Sequence, residues 1–233
     1  MPYDDLIAGA RAAFGARLVG AYAVTADGSD VVVVVHGRAD DVLDALGDLH
    51  ARLVDGGRSP GAVSYADAAD LRSPMTLGRR WPYAARGARV VAPSAHHNTA
   101  AVRWVLRERG RVLTGPAPGG LVAEVTADVL RAEALGLARA HAERVELDPS
   151  VLEDAPARVD VVLTACRVLR TAVHADVLDG RAAARWAREH LDPVHRPVVE
   201  AALDPRPGPG AAAVRALLWD VALRAGEAAL RER

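Results

Sequence analysis

Residues Val31–Val35 are five consecutive valines. Branching at Cβ restricts χ1 and suits a pleated strand. With no polar residue on either face, that strand has to be covered on both sides. It therefore demands neighbouring strands and helices on both faces of the sheet, an α/β arrangement. The flanking sequence supplies them. Residues 5–16 read as a helix, with Asp4 or Asp5 placed to cap it. Leu18–Val24 reads as a strand and Thr25–Gly28 as a turn. Residues 39–54 carry Val42, Leu43, Leu46, Leu49 and Leu53 at helical spacing, and Gly56-Gly57 stops that helix. A third strand is expected over 62–68, a short fourth over 89–92 and a helix over 99–109.

The second half has a different pattern. Gly115-Pro-Ala-Pro-Gly-Gly120 is a stiff joint. Beyond it only helical periodicity remains, over about 121–145, 156–174, 180–191, 193–203 and 211–231. A Pro/Gly segment, 204–210, separates the last two. The expectation is an α/β domain with a small mixed sheet over 1–115, then an all-α bundle over 116–233.

Composition removes whole classes of chemistry. The 29 cationic side chains are all arginine, and no lysine occurs anywhere in the chain. GC-rich codon usage accounts for much of that bias. Lysine-dependent phosphate loops, Schiff bases and pyridoxal-phosphate anchoring are excluded. Cys166 is the only cysteine, so neither a disulfide framework nor a cysteine-based zinc site can form. A net charge of -1 gives no basic excess for nucleic acid. The acidic start lacks the features of a secretory signal, and no apolar run approaches a membrane span. The expectation is a cytoplasmic protein with no nucleic-acid or membrane partner.

Val161-Val-Leu-Thr164, Arg167, Ala172-Val173, Ala183-Ala184, Trp186-Ala187, Leu191, Pro197-Val198 and Ala201 form one ungapped pattern. It resembles the C-terminal helical domain of the aminoglycoside adenylyltransferases that inactivate streptomycin and spectinomycin. Val112-Leu-Thr-Gly-Pro-Ala117 is similar to that family's joint between domains. The N-terminal order of helix, strand, turn, strand, helix and strand also fits a nucleotidyltransferase fold.

The resemblance implies transfer of AMP from ATP to a drug hydroxyl, with magnesium, in a monomer with an interdomain cleft. It implies a Gly-Ser after the first strand to meet the triphosphate and a Ser-Asp-x-Asp on the next. The two aspartates share a strand face and hold the metal. A third carboxylate on the neighbouring strand takes the hydroxyl proton.

At these positions the chain departs from the pattern. Tyr22-Ala23-Val24 stands in the place of Tyr-Gly-Ser. Ser29-Asp30-Val31-Val32 stands in the place of Ser-Asp-x-Asp, so Asp30 is the metal candidate and Val32 replaces its partner. Ser64 occupies the third carboxylate position. Asp67 would serve as the base only after a one-residue slip or a bulge. Arg167 matches the family arginine and, with Arg181 and Ser29, is assigned to nucleotide phosphates. Asp160 and Asp154 are the acids left to meet a polycationic drug, although Asp154 also suits a helix cap. Neither His96-His97 nor the pair His190 and His195 has metal-binding spacing, and His96-His97-Asn98 reads as the start of a helix.

These losses lead to the expectation of a degenerate homologue. It would keep a cleft for a nucleotide or an amino-sugar compound, with AMP transfer impaired or absent and no cofactor. The alternative is an active Mg-ATP-dependent enzyme adenylylating an aminoglycoside hydroxyl.

Overall fold

The computed structural model describes residues 3–25, 27–57, 61–204, 206 and 208–230. The expected Pro/Gly connection and the end of the last helix lie partly outside them. The chain divides into two compact units, 1–125 and 126–233.

In the first unit the valine run is strand β2, Val31–Val35, and all five side chains are fully buried. It pairs antiparallel with β1, Leu18–Ala23, and parallel with β3, Val63–Asp67. Three further strands complete a mixed six-stranded sheet: β4, Trp81–Ala84, β5, Ala92–Ser94, and β6, Arg111–Thr114. The strand order is β5-β4-β3-β2-β1-β6.

The alternation of β2 explains the double burial. Val31, Val33 and Val35 pack with Leu6 and Phe14 of α1, Asp4–Phe14, and with Leu46 and Leu49 of α2, Leu43–Asp55. Val32 and Val34 face the other way. They pack with Tyr22, Trp81, Ala66 and Leu106, the last from α4, Ala100–Arg109. A one-turn helix, α3, covers Ala68–Leu71.

Several boundaries differ from expectation. Asp4 and Asp5 lie in the first turn of α1, whose N-cap is Tyr3. Acids there lie at the positive end of the helix dipole, which favours them. The domain boundary falls beyond the Gly/Pro joint, because Leu121 and Val122 pack in the first unit's core. Arg107 also donates to the carbonyls of Gly119 and Val122. The segment 89–92 is mostly irregular, and the fourth and fifth strands lie on either side of it.

The second unit is all helix: α5, Ala127–Leu147, α6, Ala155–His174, α7, Gly180–His190, α8, Arg196–Leu203, and α9, Ala211–Leu230. Its core is rich in small side chains. Ala134, Ala138 and Ala142 line α5, Ala165, Cys166 and Ala172 line α6, and Ala183, Ala184 and Ala187 line α7. Small residues at these positions let helix backbones approach closely. No helix among the described residues is long and apolar enough to cross a membrane.

Candidate functional site

The site begins in the turn between β1 and β2. Gly28 has φ +74 there, in the left-handed region. A β-carbon at this glycine would also run into Arg111 and the Tyr3 hydroxyl. The Ser29 amide donates to Asp27 Oδ1 at 2.9 Å, and the Asp30 amide donates to Thr25 Oγ1 at 3.0 Å. These bonds deliver Asp30 to the residue just before β2.

The Asp30 carboxylate is partly covered, with 21% of its side chain exposed. Its Oδ1 accepts from the Ala62 amide at 2.9 Å and lies 3.8 Å from Arg86 Nη2. Arg86 also donates to Ser29 Oγ at 2.9 Å. Burial pushes the Asp30 carboxyl upward. Nearby His97, the Ala62 amide and Arg86 outweigh that effect and hold it below the usual carboxylate range.

His97 is 3% exposed and meets Asp30 Oδ2 through Nε2 at 3.8 Å. That separation is too long for a hydrogen bond, and Nε2 is buried with no hydrogen-bond partner. The other ring nitrogen, Nδ1, shares a hydrogen bond of 3.0 Å with Ser64 Oγ. Ser64 lies on β3 directly beside Val32. Asp30, His97 and Ser64 thus form one line of contacts on the sheet face that Val32 shares.

His96 completes the cluster. One donor atom each from Asp30, His96 and His97 lies within 4.8 Å of the others. Tyr83 of β4 supports both imidazoles, with ring centroids 5.2 Å from His96 and 5.7 Å from His97. The turn carrying the two histidines is anchored by Asn98. Its amide donates to the carbonyls of Thr76 and Arg79, and its Oδ1 accepts from Arg103 Nε, each at 2.8 Å. Arg103 is 1% exposed and also donates to the Ser73 carbonyl and Thr76 Oγ1. Burial pulls its pKa down to about 10. The helix expected to start at His96-His97-Asn98 starts later, with Thr99 as the N-cap of α4.

Sequence reasoning missed both histidines as candidate ligands. The cluster brings together residues far apart in the chain, and no short-range spacing signals it.

The structure does not bring Asp67 to Asp30. Asp67 pairs in register with Val35, whereas Asp30 precedes Val31 at the opposite end of the strand. At about 3.3 Å per residue, the four-residue offset from Val31 to Val35 alone is roughly 13 Å. Asp67 instead caps α3, accepting from Ala69 N at 3.0 Å and Gly37 N at 3.2 Å. No slip or bulge interrupts the β2–β3 register, so the rescue that a base at Asp67 required is absent.

In the helical unit, Asp154 is the N-cap of α6 and accepts from the Ala157 amide at 3.1 Å. Asp160 and Arg167 are exposed on that helix. Arg181 donates to the Leu203 carbonyl, tying α7 to the end of α8. Arg158 donates to the carbonyls of Leu152, Glu153 and Pro209. It ties the segment before α6 to the segment before α9 and has a structural role.

Residues 133–221 match the family described as aminoglycoside adenylyltransferase, C-terminal domain. Most of the second unit therefore resembles the C-terminal domain of the aminoglycoside adenylyltransferases. The chain's fold is similar to that of the spectinomycin adenyltransferase AAD(9) from Enterococcus faecialis, solved with ATP and spectinomycin. The TM-score is 0.69 at 12% identity, covering 97% of this chain and 98% of that one. No curated protein matches the sequence. The likeness in fold takes in the N-terminal sheet, where Asp30 stands at the head of β2.

The magnesium that the resemblance implies does not fit the described donors. Magnesium takes oxygens in near-octahedral geometry, and two of the three donors gathered around Asp30 are imidazole nitrogens. The position of the second carboxylate is Val32, fully buried in the core.

Proposed function

We propose that the chain is a working nucleotidyltransferase of the aminoglycoside adenylyltransferase kind. It transfers AMP from ATP to a hydroxyl of an aminoglycoside-type compound. The observation that carries this reading is the built surround of Asp30. The carboxylate is kept ionised, backed by the Ala62 amide and flanked by Arg86, Ser29 and His97. A site abandoned by selection would have no reason to keep these groups convergent.

In the reaction, the acceptor oxygen bonds to the α-phosphorus and the bond to pyrophosphate breaks. Pyrophosphate leaves with the electron pair, and the hydroxyl proton passes to a base. Ser29 and Arg86 are suited to phosphate oxygens, as hydroxyl and guanidinium donors. In the helical unit, Arg167 is the arginine assigned to phosphate and Asp160 the acid assigned to acceptor amino groups. Arg181 and Asp154 already serve as structural partners, which makes them weaker candidates for ligand contacts.

The degenerate reading rests on a specific observation too: Ala23, Val24 and Val32 are buried where the resemblance places Gly-Ser and an aspartate. One assay separates the two. Purified protein is incubated with ATP, magnesium or manganese or cobalt, and a panel including spectinomycin and streptomycin. Pyrophosphate release and acceptor mass gain of one adenylyl group are expected, both abolished in Asp30→Ala. Absence of both with every metal, together with no nucleotide binding by calorimetry, establishes the degenerate reading instead.

A further inference from the structure

We propose that Asp30, His96 and His97 bind a borderline divalent transition ion of the zinc and cobalt class in preference to magnesium. The inference concerns the site used in the proposed function but does not depend on that reaction. Imidazole with carboxylate suits zinc, cobalt or nickel, whereas magnesium selects oxygen. The donor set here is one carboxylate oxygen and two imidazole nitrogens.

The second observation is the buried Nε2 of His97, which has no hydrogen-bond partner. Buried polar atoms are nearly always satisfied, so such an orphan calls for a ligand. It points toward the Asp30 carboxylate at 3.8 Å. The hydrogen bond between Nδ1 and Ser64 Oγ supports the same role. With the proton on Nδ1 donated to Ser64, Nε2 keeps its lone pair for a metal. Histidine ligands usually have such an outer partner, which fixes ring orientation.

The spacing is close to what the ion needs. Zinc bonds of about 2.0–2.1 Å set tetrahedral donors roughly 3.4 Å apart. Asp30 Oδ2 and His97 Nε2 need to close only slightly from 3.8 Å. The larger adjustment falls to the exposed His96, while the Asn98 and Arg103 bonds hold the base of the turn. Three protein ligands leave a fourth position for water or a substrate oxygen, as in catalytic zinc sites.

The test uses untagged full-length protein without nucleotide or acceptor. Cobalt(II) is titrated and its visible absorption recorded, then zinc is added in competition, with magnesium measured by calorimetry. The expected result is one cobalt per chain with the strong bands of low coordination, displaced by zinc and not by a large magnesium excess. Affinity should fall at least about tenfold in His97→Ala, His96→Ala and Asp30→Asn, and also in Ser64→Ala through loss of the outer hydrogen bond. It should be unchanged in His190→Ala. Circular dichroism checks each fold, and the exposed His96 gives a variant that leaves the core intact. No cobalt bands, bands insensitive to all four substitutions, or magnesium binding as tight as zinc overturns the inference. Cobalt binding without AMP transfer refutes only the reaction proposed above, and AMP transfer without cobalt or zinc binding refutes only this site.

Discussion

His50 should make the first unit sensitive to mild acid. It is 1% exposed on the buried stripe of α2 and shares a 2.8 Å hydrogen bond with the Tyr65 hydroxyl. Burial pulls its pKa from 6.5 to about 4, so the folded chain keeps the ring neutral. The unfolded chain protonates it below about pH 6.5. Between those values the unfolded state binds more protons, so stability is lost as pH falls. A gap of 6.5 to about 4, at about 1.4 kcal/mol per unit, is worth about 3 kcal/mol in full, of which about 2 kcal/mol is gone by about pH 5. Urea unfolding at about pH 7.5 and pH 5 on wild type and His50→Gln measures it. His141 and His174, also lowered by burial, are present in both proteins and cancel in the comparison. Glutamine reaches the Tyr65 hydroxyl without titrating, so the variant should lose about 2 kcal/mol less on acidification. If the two proteins lose stability in parallel, within about 0.5 kcal/mol, the argument from His50 is wrong.

Three other perturbations probe the site. Asn98→Ala removes three hydrogen bonds of a fully buried side chain, one of them a buried bond to a guanidinium, and should cost about 3 kcal/mol or more in denaturant unfolding and weaken cobalt binding with it. Gly61→Ala would drive a β-carbon onto the Asp30 carboxylate and the Ser29 carbonyl. A loss of about 1–3 kcal/mol is expected in the same unfolding assay, together with loss of AMP transfer, because a backbone carbonyl cannot swing aside. Val32→Asp places an acid in a fully buried position beside Ser64. It should cost about 3 kcal/mol or more without metal and recover part of that in millimolar magnesium, read as a shift in the urea midpoint; an unmoved midpoint would mean that residue 32 does not reach the site.

The valine run made the sheet legible, because a strand apolar on both faces can only lie inside one. The helical half was legible from periodicity, and Asp154 as a cap from its place before Pro156. The strands missed were those with weak local signals. β4 contains Pro82, which cannot donate to a ladder, and β6 is a half-exposed edge beside β1. His50 could have been found, since it is four residues beyond Leu46 on the same helical stripe. The two site histidines could not. Their place depends on Ser64 in the sheet and on the Asn98 and Arg103 bonds that fix the turn. Asp67 was misplaced for a related reason: strand polarity and register decide which end an acid occupies, and these come from pairing, not composition.

Val32, Ser64 and His97 are physically coupled. An acid at position 64 beside a valine at 32 would be a fully buried charge without a metal to share it, at a cost of several kcal/mol. Ser64 is neutral and gives its hydrogen bond to His97. That bond turns the opposite ring nitrogen toward Asp30. The three side chains therefore fit one another. Independent decay would leave unpaired buried groups scattered through the unit, yet among the described residues the orphaned buried side-chain atoms are only His97 Nε2 and, in the other unit, Asp220 Oδ2. The first of them is aimed at the one carboxylate the family pattern retains. One aspartate with two imidazoles suits a different ion from the aspartate pair that the resemblance implies. The choice of metal is therefore the first variable to set in any assay of this protein.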